Sequence, residues 1–198
     1  MKIILSVLLL FFSAETTLAQ NNGKASFPLE KKADGTVIID TFENESLGGL
    51  PKDWYNRDAK VKPSEDPEEA KLFRYHITEE NDNRFLKYEG TKARHLNFPL
   101  KNRPKLDIFE TPILSWEWKV EDLPDGGNEN DDDYNDTAAS IYVVFDMGTV
   151  ALFKEVPKSI RYTWSSSLEE GTELSKFFGN QKIVVVESGK ENMGKWVS

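Results

Sequence analysis

This sequence predicts an all-β fold, a two-sheet β-sandwich, on three observations. Apolar and polar residues alternate with a period of two through a series of short runs. Gly, Pro, Asn and Asp break those runs roughly every ten residues, as turns between strands do. Helical periodicity is almost absent: only "SSLEEGTELSKFF" hints at helix, and Gly171 in its middle limits that to a short turn. Strands of this kind bury their apolar faces between two sheets.

The elements follow in order. Thr36–Glu43, "TVIIDTFE", opens with β-branched and apolar residues, and "ESLGGLPKDW" follows as a Gly/Pro-rich turn. "KVKPSEDPEEAK" is a charged loop with two prolines. "LFRYHIT" places Phe73, Tyr75 and Ile77 on one side and Arg74 and His76 on the other. "RFLKYEG" and "RHLNFPL" alternate likewise, the second with Leu96, Phe98 and Leu100 in phase. In "ILSWEWKV", Leu114, Trp116, Trp118 and Val120 share one face, and Ser115, Glu117 and Lys119 the other. "ASIYVVFD", "SIRYTW" and "KIVVVESG" complete the set. "IYVVF" and "KIVVV" are apolar on both faces, the mark of central strands covered on both sides.

The start of the chain has a different character. Lys2, the ten-residue apolar run Ile3–Phe12 and the small residues Thr17 and Ala19 before Gln20 have the three-part form of a secretory signal peptide. The run is too short to span a bilayer. Residues 1–19 are therefore expected to be a cleaved signal peptide, 20–35 a flexible lead-in, and 36–198 a single β-sandwich domain. The 179 residues from Gln20 onward suit one domain with a sizeable core. Lys2 and Glu15 leave with the leader, so the net charge stays at −9, with a pI near 4.9. Such a surface argues against nucleic acid, whose phosphates require clustered Lys and Arg, and against an anionic lipid surface. With no cysteine, a disulfide framework and a lipid-modified cysteine are both excluded. No later apolar stretch approaches the length of a membrane span, so the cleaved chain is not expected to cross a membrane.

"NENDDDYND" packs Glu129, Asp131, Asp132, Asp133 and Asp136 into eight positions. Asp131, Asp133 and Asn135 match the first three ligand positions of a helix–loop–helix calcium loop. The sixth position then falls on Asp136 instead of Gly and the twelfth on Tyr142 instead of Glu, so the match fails. Neighbouring carboxylates about 7 Å apart in water repel by only roughly 0.6 kcal/mol, so a solvated loop tolerates them without a metal. A non-standard calcium site with Asp131 and Asp133 remains the alternative. Asp136 stands apart, at the entry to the most apolar strand, where a carboxylate needs a turn, an Arg or a ligand to satisfy it.

Paired carboxylates for general acid–base work could come from Glu117, Asp136, Asp146 and Glu187, which glycoside hydrolysis would need about 5 to 10 Å apart. Among 34 acidic residues some pair always qualifies, so the signal is weak. Nucleophile motifs, phosphate-binding loops and zinc spacing are absent from the sequence. His76 and His95 lie inside strand-like runs and read as packed or surface residues. Of the tryptophans, Trp116 and Trp118 read as core, and Trp54, in the turn after "GGLPKD", as the exposed one.

Five segments, "DTFENESLGGLPKDW", "PILSWEWKVEDLPDGG", "NDTAASIYVVF", "IRYTWSS" and "KIVVVESGKENMGKWV", together resemble a bacterial exported family, the domain of unknown function 3047. The resemblance implies a β-sandwich of jelly-roll type, similar to carbohydrate-binding modules, and no assigned activity. The family's acidic pair is Asp-Asp, whereas Asn135-Asp136 stands here, so only Asp136 carries over. The family also continues beyond Glu-Ser-Gly, which makes a C-terminal shortening the expectation. In jelly-roll sugar-binding modules a structural calcium joins the first acidic strand to the last, which would involve Asp40 or Glu43 here, its last-strand partner missing.

The expected function is that of an exported, periplasmic or extracellular, non-catalytic protein binding a glycan or other cell-envelope component. Trp54, Glu117, Asp136, Tyr142 and Tyr162 form the candidate binding edge. The rivals are a hydrolase or lyase on envelope polysaccharide, using Asp136 with Glu117 or Glu187, and a structural subunit docking through an open sheet edge. No cofactor is expected unless calcium binds.

Overall fold

In the computed structural model, which describes residues 9–11, 29–57, 62–90, 94–100, 107–150 and 154–198, most of the alternating runs become strands. "RHLNFPL" and "ILSWEWKV" do not, and make isolated bridges instead, Asn97 to Tyr55 and Trp118 to Val197. In chain order these are β1 (Leu9–Phe11), β2 (Glu30–Lys31), β3 (Val37–Ile38), helix α1 (Pro67–Leu72), β4 (Tyr75–Glu80), β5 (Asn83–Tyr88), β6 (Ala139–Val150), β7 (Lys154–Ser165), β8 (Glu173–Lys176) and β9 (Gln181–Ser188). Five strands form one sheet in the order β1-β6-β7-β9-β8, while β2–β3 and β4–β5 are separate pairs. With one six-residue helix, the described chain is all-β.

The β6–β7 ladder sets the character of the large sheet. Ala139 lies opposite Trp164, Ile141 opposite Tyr162 and Val143 opposite Ile160, which makes one apolar row. Ser140 opposite Thr163 and Tyr142 opposite Arg161 make a polar row on the other face, since side chains alternate along a strand. β9 runs parallel to β7 and antiparallel to β8. "KIVVV" is thus internal, as expected, and "IYVVF" lies between β7 and β1. The apolar row joins a core cluster with Trp54, Ile77, Leu86, Leu96 and Phe98, drawn from the β4–β5 hairpin and its flanking segments. A second cluster gathers Trp118, Val120, Ala138, Ala139 and Trp164. Each of the larger aliphatic and aromatic side chains here, fully buried, stabilises the fold by about 1.5–3 kcal/mol.

Local chemistry explains the turns. Asn81 and Asp82 both have positive φ, 54° and 59°, as the two-residue turn joining β4 to β5 requires, and Asn and Asp tolerate that region best after Gly. Helix α1 starts where the charged loop supplies a cap: the Asp66 carboxylate accepts from the Glu68 N–H at 3.0 Å, and Pro67 is the first helical residue.

Several expectations need correcting. "TVIIDTFE" is strand only at Val37–Ile38, because the chain turns at Phe42, whose φ is +60°. The helix hinted at in "SSLEEGTELSKFF" is instead β8 followed by a 3-10 turn at Phe177–Gly179. Within the flexible lead-in, residues 20–28 lie outside the described ones, but Leu29 is buried in the core and Glu30–Lys31 pair with Val37–Ile38. Structure therefore begins at least by Leu29. Within the expected leader, Leu9–Phe11 lies parallel to Tyr142–Val144. The cut before Gln20 falls outside the described residues. Among the described residues no helix is long and apolar enough to cross a membrane.

Candidate functional site

The loop from Pro124 to Thr137 closes on itself through its own polar residues. Gly127 makes this possible, since a Cβ there would sit 2.5 Å from the Asp136 carbonyl oxygen. The Asn128 N–H donates to the Tyr134 carbonyl at 2.8 Å. The Asn128 and Asp131 side chains each accept a backbone N–H two residues on, from Asn130 and Asp133, both at 3.0 Å. Asp131, Asp132 and Asp133 face water. From the far edge of the sheet, Lys176 ties the loop down, donating to the Asn130 carbonyl at 2.8 Å and to Asp132 at 2.7 Å.

Glu129 does the opposite of its acidic neighbours: it is 0% exposed. Its two oxygens accept from Ser165 Oγ at 2.6 Å and from Thr163 Oγ1 at 3.4 Å, both on β7. From there a line of hydroxyls crosses the polar face of the sheet. Ser140 Oγ lies 3.2 Å from Thr163 Oγ1, and Arg161 Nε donates to Ser140 Oγ at 2.9 Å. Arg161 Nη1 then donates to Asn135 Oδ1 at 2.7 Å, so the loop supplies a partner at each end of the line.

Arg161 is only 5% exposed, and among the described residues no carboxylate reaches ion-pair distance of its guanidinium. The guanidinium carbon lies 5.6 Å from the centre of the Tyr142 ring. The His95 ring stands 5.7 Å from that same ring, tilted by 55°. Burial, reinforced by the charges of Arg57 and Arg161, pulls the His95 imidazole down to about 4, so it is neutral at physiological pH. Burial also raises the Tyr142 phenol, against the opposing pull of Arg161 and Arg57. A buried cation therefore sits beside a neutral imidazole and a protonated phenol, with aromatic surface at hand. Such a set can hold an anion and hydrogen-bond the groups around it.

The predicted binding edge does not assemble. Trp54, expected to be exposed, is 1% exposed, and packs between Phe42 and Phe98. The reason is Asp40, whose Oδ2 accepts from Trp54 Nε1 at 2.7 Å and so lets the indole go inside. Glu117 and Asp136 are both exposed. Tyr142 and Tyr162 sit on neighbouring strands, but Tyr142 pairs with Arg161 and Tyr162 with Ile141, so the two rings point to opposite faces. Tyr162 meets Trp116 at 5.4 Å, and Trp116 meets the buried Trp118 at 5.5 Å. Trp116 and Trp118 also line a groove of about 330 Å³ with Leu114, Val186 and Val197.

The remaining acids are separated too. Glu187 is buried in β9, accepting from Asn192 Nδ2 at 3.2 Å and from the Ser188 N–H at 3.0 Å. Asp146 is exposed, 3.9 Å from Lys158 Nζ. Of the metal candidates, Asp40 accepts from Phe42 N–H and Trp54, Glu43 from Arg84 N–H, and Asp131 from Asp133 N–H, while Asp133 faces water. Among the described residues, no three His, Cys, Asp or Glu side chains gather closely enough to hold an ion.

Residues 59–198 match the family model described as "Protein of unknown function (DUF3047)". The chain belongs to that family. No curated protein and no solved structure matches it. The first of the five motif segments lies before the matched residues; the other four lie within them. In this DUF3047 chain the segment "NDTAASIYVVF" puts Tyr142–Phe145 on β6, and "IRYTWSS" puts Tyr162–Trp164 on β7. Glu-Ser-Gly closes β9, where the Gly189 carbonyl accepts from Trp164 Nε1 at 3.1 Å and binds two motifs together. Of the Asn135-Asp136 pair, it is Asn135 whose side chain holds Arg161.

Sequence reasoning missed Glu129, Arg161 and His95. One signal was present: Ser159, Arg161, Thr163 and Ser165 are polar at every second position of β7. Read alone, that spacing looks like a solvated face, and only the covering loop makes it interior.

Proposed function

We propose that the chain is an exported, jelly-roll β-sandwich protein that binds a glycan or another cell-envelope component without turning it over. The three-part leader supports export to the periplasm or beyond, and the alternating strands over a shared core support a sandwich. One observation carries the binding reading: Tyr142, half-buried, has the Arg161 guanidinium at 5.6 Å and the His95 ring at 5.7 Å. An aromatic face among hydrogen-bonding groups is the combination that holds a sugar ring, by stacking and by bonds to its hydroxyls.

Screening the protein against envelope polysaccharides tests this. Binding without product release, weakened by Tyr142→Ala and unchanged by Asp136→Asn, is the expected result. Product release abolished by Asp136→Asn would overturn it in favour of the carboxylate-dependent hydrolase or lyase. That rival draws on the same pair of rings: His95 and Tyr142, neutral and adjacent, are groups able to accept and donate protons. Its carboxylates serve it less well, because Glu117 and Asp136 are exposed and Glu187 is already hydrogen-bonded.

A further inference from the structure

Resting on that glycan-binding reading, we infer that the Tyr142 site takes an acidic sugar, a uronic-acid unit of a polysaccharide, and that Arg161 recognises its carboxylate. A guanidinium taken out of water needs a counter-charge, and leaving it without one is costly. Among the described residues Arg161 has neutral partners only: Ser140 on Nε and Asn135 on Nη1. The buried carboxylate of Glu129 connects to Arg161 through the Thr163 and Ser140 hydroxyls. Those neutral partners do something else: they fix the plane of the guanidinium while leaving N–H groups on Nη1 and Nη2 uncommitted among the described residues. A fixed plane with parallel donors matches a carboxylate in two-point contact. Arg57 adds a second positive charge acting on His95 and Tyr142.

The charge count selects among anions. His95 is neutral at physiological pH, so among the described residues Arg161 is the buried cation at the site. A single negative charge balances it. A phosphate monoester, carrying about −1.5 to −2 near neutral pH, brings more charge than Arg161 alone balances and would draw on the exposed Arg57 as well. The Tyr142 ring then offers the apolar surface on which the rest of the sugar ring can lie.

The test is calorimetric titration of the whole protein with oligouronates of differing stereochemistry, each beside the same oligosaccharide carboxyl-reduced to its neutral sugar. At least one oligouronate should bind about tenfold or more tightly than its reduced form, as the loss of a charged hydrogen bond predicts. Equal binding of the reduced form would overturn the carboxylate assignment and leave the glycan reading standing. Tighter binding of a phosphorylated oligosaccharide would also overturn the assignment. No binding by any of these sugars would retire both. Asn135→Asp provides the second arm, because it sets a built-in carboxylate against Nη1 with almost no change of shape. This variant should keep the wild-type melting temperature or exceed it, and should lose the preference for the acidic sugar. If Asn135→Asp instead binds oligouronates like the wild type, Arg161 does not recognise the charge.

Discussion

Where Ala139–Val144 of β6 meets Ser159–Ser165 of β7, both faces of the ladder are largely buried, yet they are built from opposite materials. One carries Ile141, Val143 and Trp164, packed into the two hydrophobic clusters. The other carries Ser140, Arg161, Thr163 and Ser165, each at most 5% exposed. The apolar face needs only volume and shape, because dispersion and exclusion of water do not depend on direction. The polar face needs every donor and acceptor matched, and the 124–137 loop supplies the matching groups, Glu129 and Asn135. One face makes the fold stable. The other, more demanding to build and centred on a cation that no carboxylate contacts among the described residues, is where function is to be sought.

Breaking the apolar face should cost most. Trp164 is 0% exposed and its Nε1 is bonded to Gly189, so Trp164→Ala should lower stability by about 3–5 kcal/mol in urea titration. A loss under about 1 kcal/mol would mean that the second cluster is not part of the cooperative core.

On the polar face the loss comes from unmatched groups. Ser165 Oγ donates to Glu129 and accepts from the Leu168 N–H at 3.0 Å. Ser165→Ala should therefore cost about 1.5–3 kcal/mol, since it strips one bond from a buried carboxylate. If Glu129→Gln is added, the further loss should be small, because the charge that needed the hydroxyl is already gone. Full additivity of the two changes would show that the pair does not interact.

His95 gives the polar face a pH signature. Its imidazole titrates at 6.5 when unfolded and at about 4 when folded, so the unfolded chain takes up the proton first as pH falls. The stability it contributes is complete above pH 6.5 and is lost as pH drops toward 4; by pH 5 the loss is about 2 kcal/mol. Asp40 and Glu45, both raised by burial, work in the other direction over the acid range. The comparison is therefore between proteins: the fall in urea midpoint from pH 7 to pH 5 should be smaller in His95→Gln than in wild type. An identical fall would mean that folded His95 accepts its proton freely.

What was legible in the sequence follows the same division. Apolar alternation fixes which residues go inwards, so Leu96, Phe98, Trp118 and Val120 are core as their phase predicts. Trp54 escaped that logic because its burial depends on Asp40, a partner 14 positions away. Polar alternation carries less information, since a solvated face and a covered polar face are written with the same residue types. Thr163 and Ser165 therefore gave no sign of being interior. Loops carry least of all: nothing in "NENDDD" distinguishes Glu129, which turns in, from Asp131 to Asp133, which turn out.

Asp136 is the sharpest case, and its predicted effect is the smallest. Its position at the mouth of the most apolar strand suggests a carboxylate under strain. In the fold, its backbone is what matters: the N–H donates to the Tyr134 carbonyl at 2.6 Å, and the carbonyl oxygen packs where a Cβ on Gly127 would otherwise sit. The carboxylate itself is exposed. Asp136→Asn keeps the backbone and removes only a solvated charge, so stability should change by less than about 0.5 kcal/mol and oligouronate binding should be unaltered. Gly127→Ala, which drives a methyl group against that same carbonyl, should cost more than Asp136→Asn does. If Asp136→Asn were the more damaging of the two, the polar face would have a second charged centre, and the contrast between Glu129 and its exposed neighbours would fail.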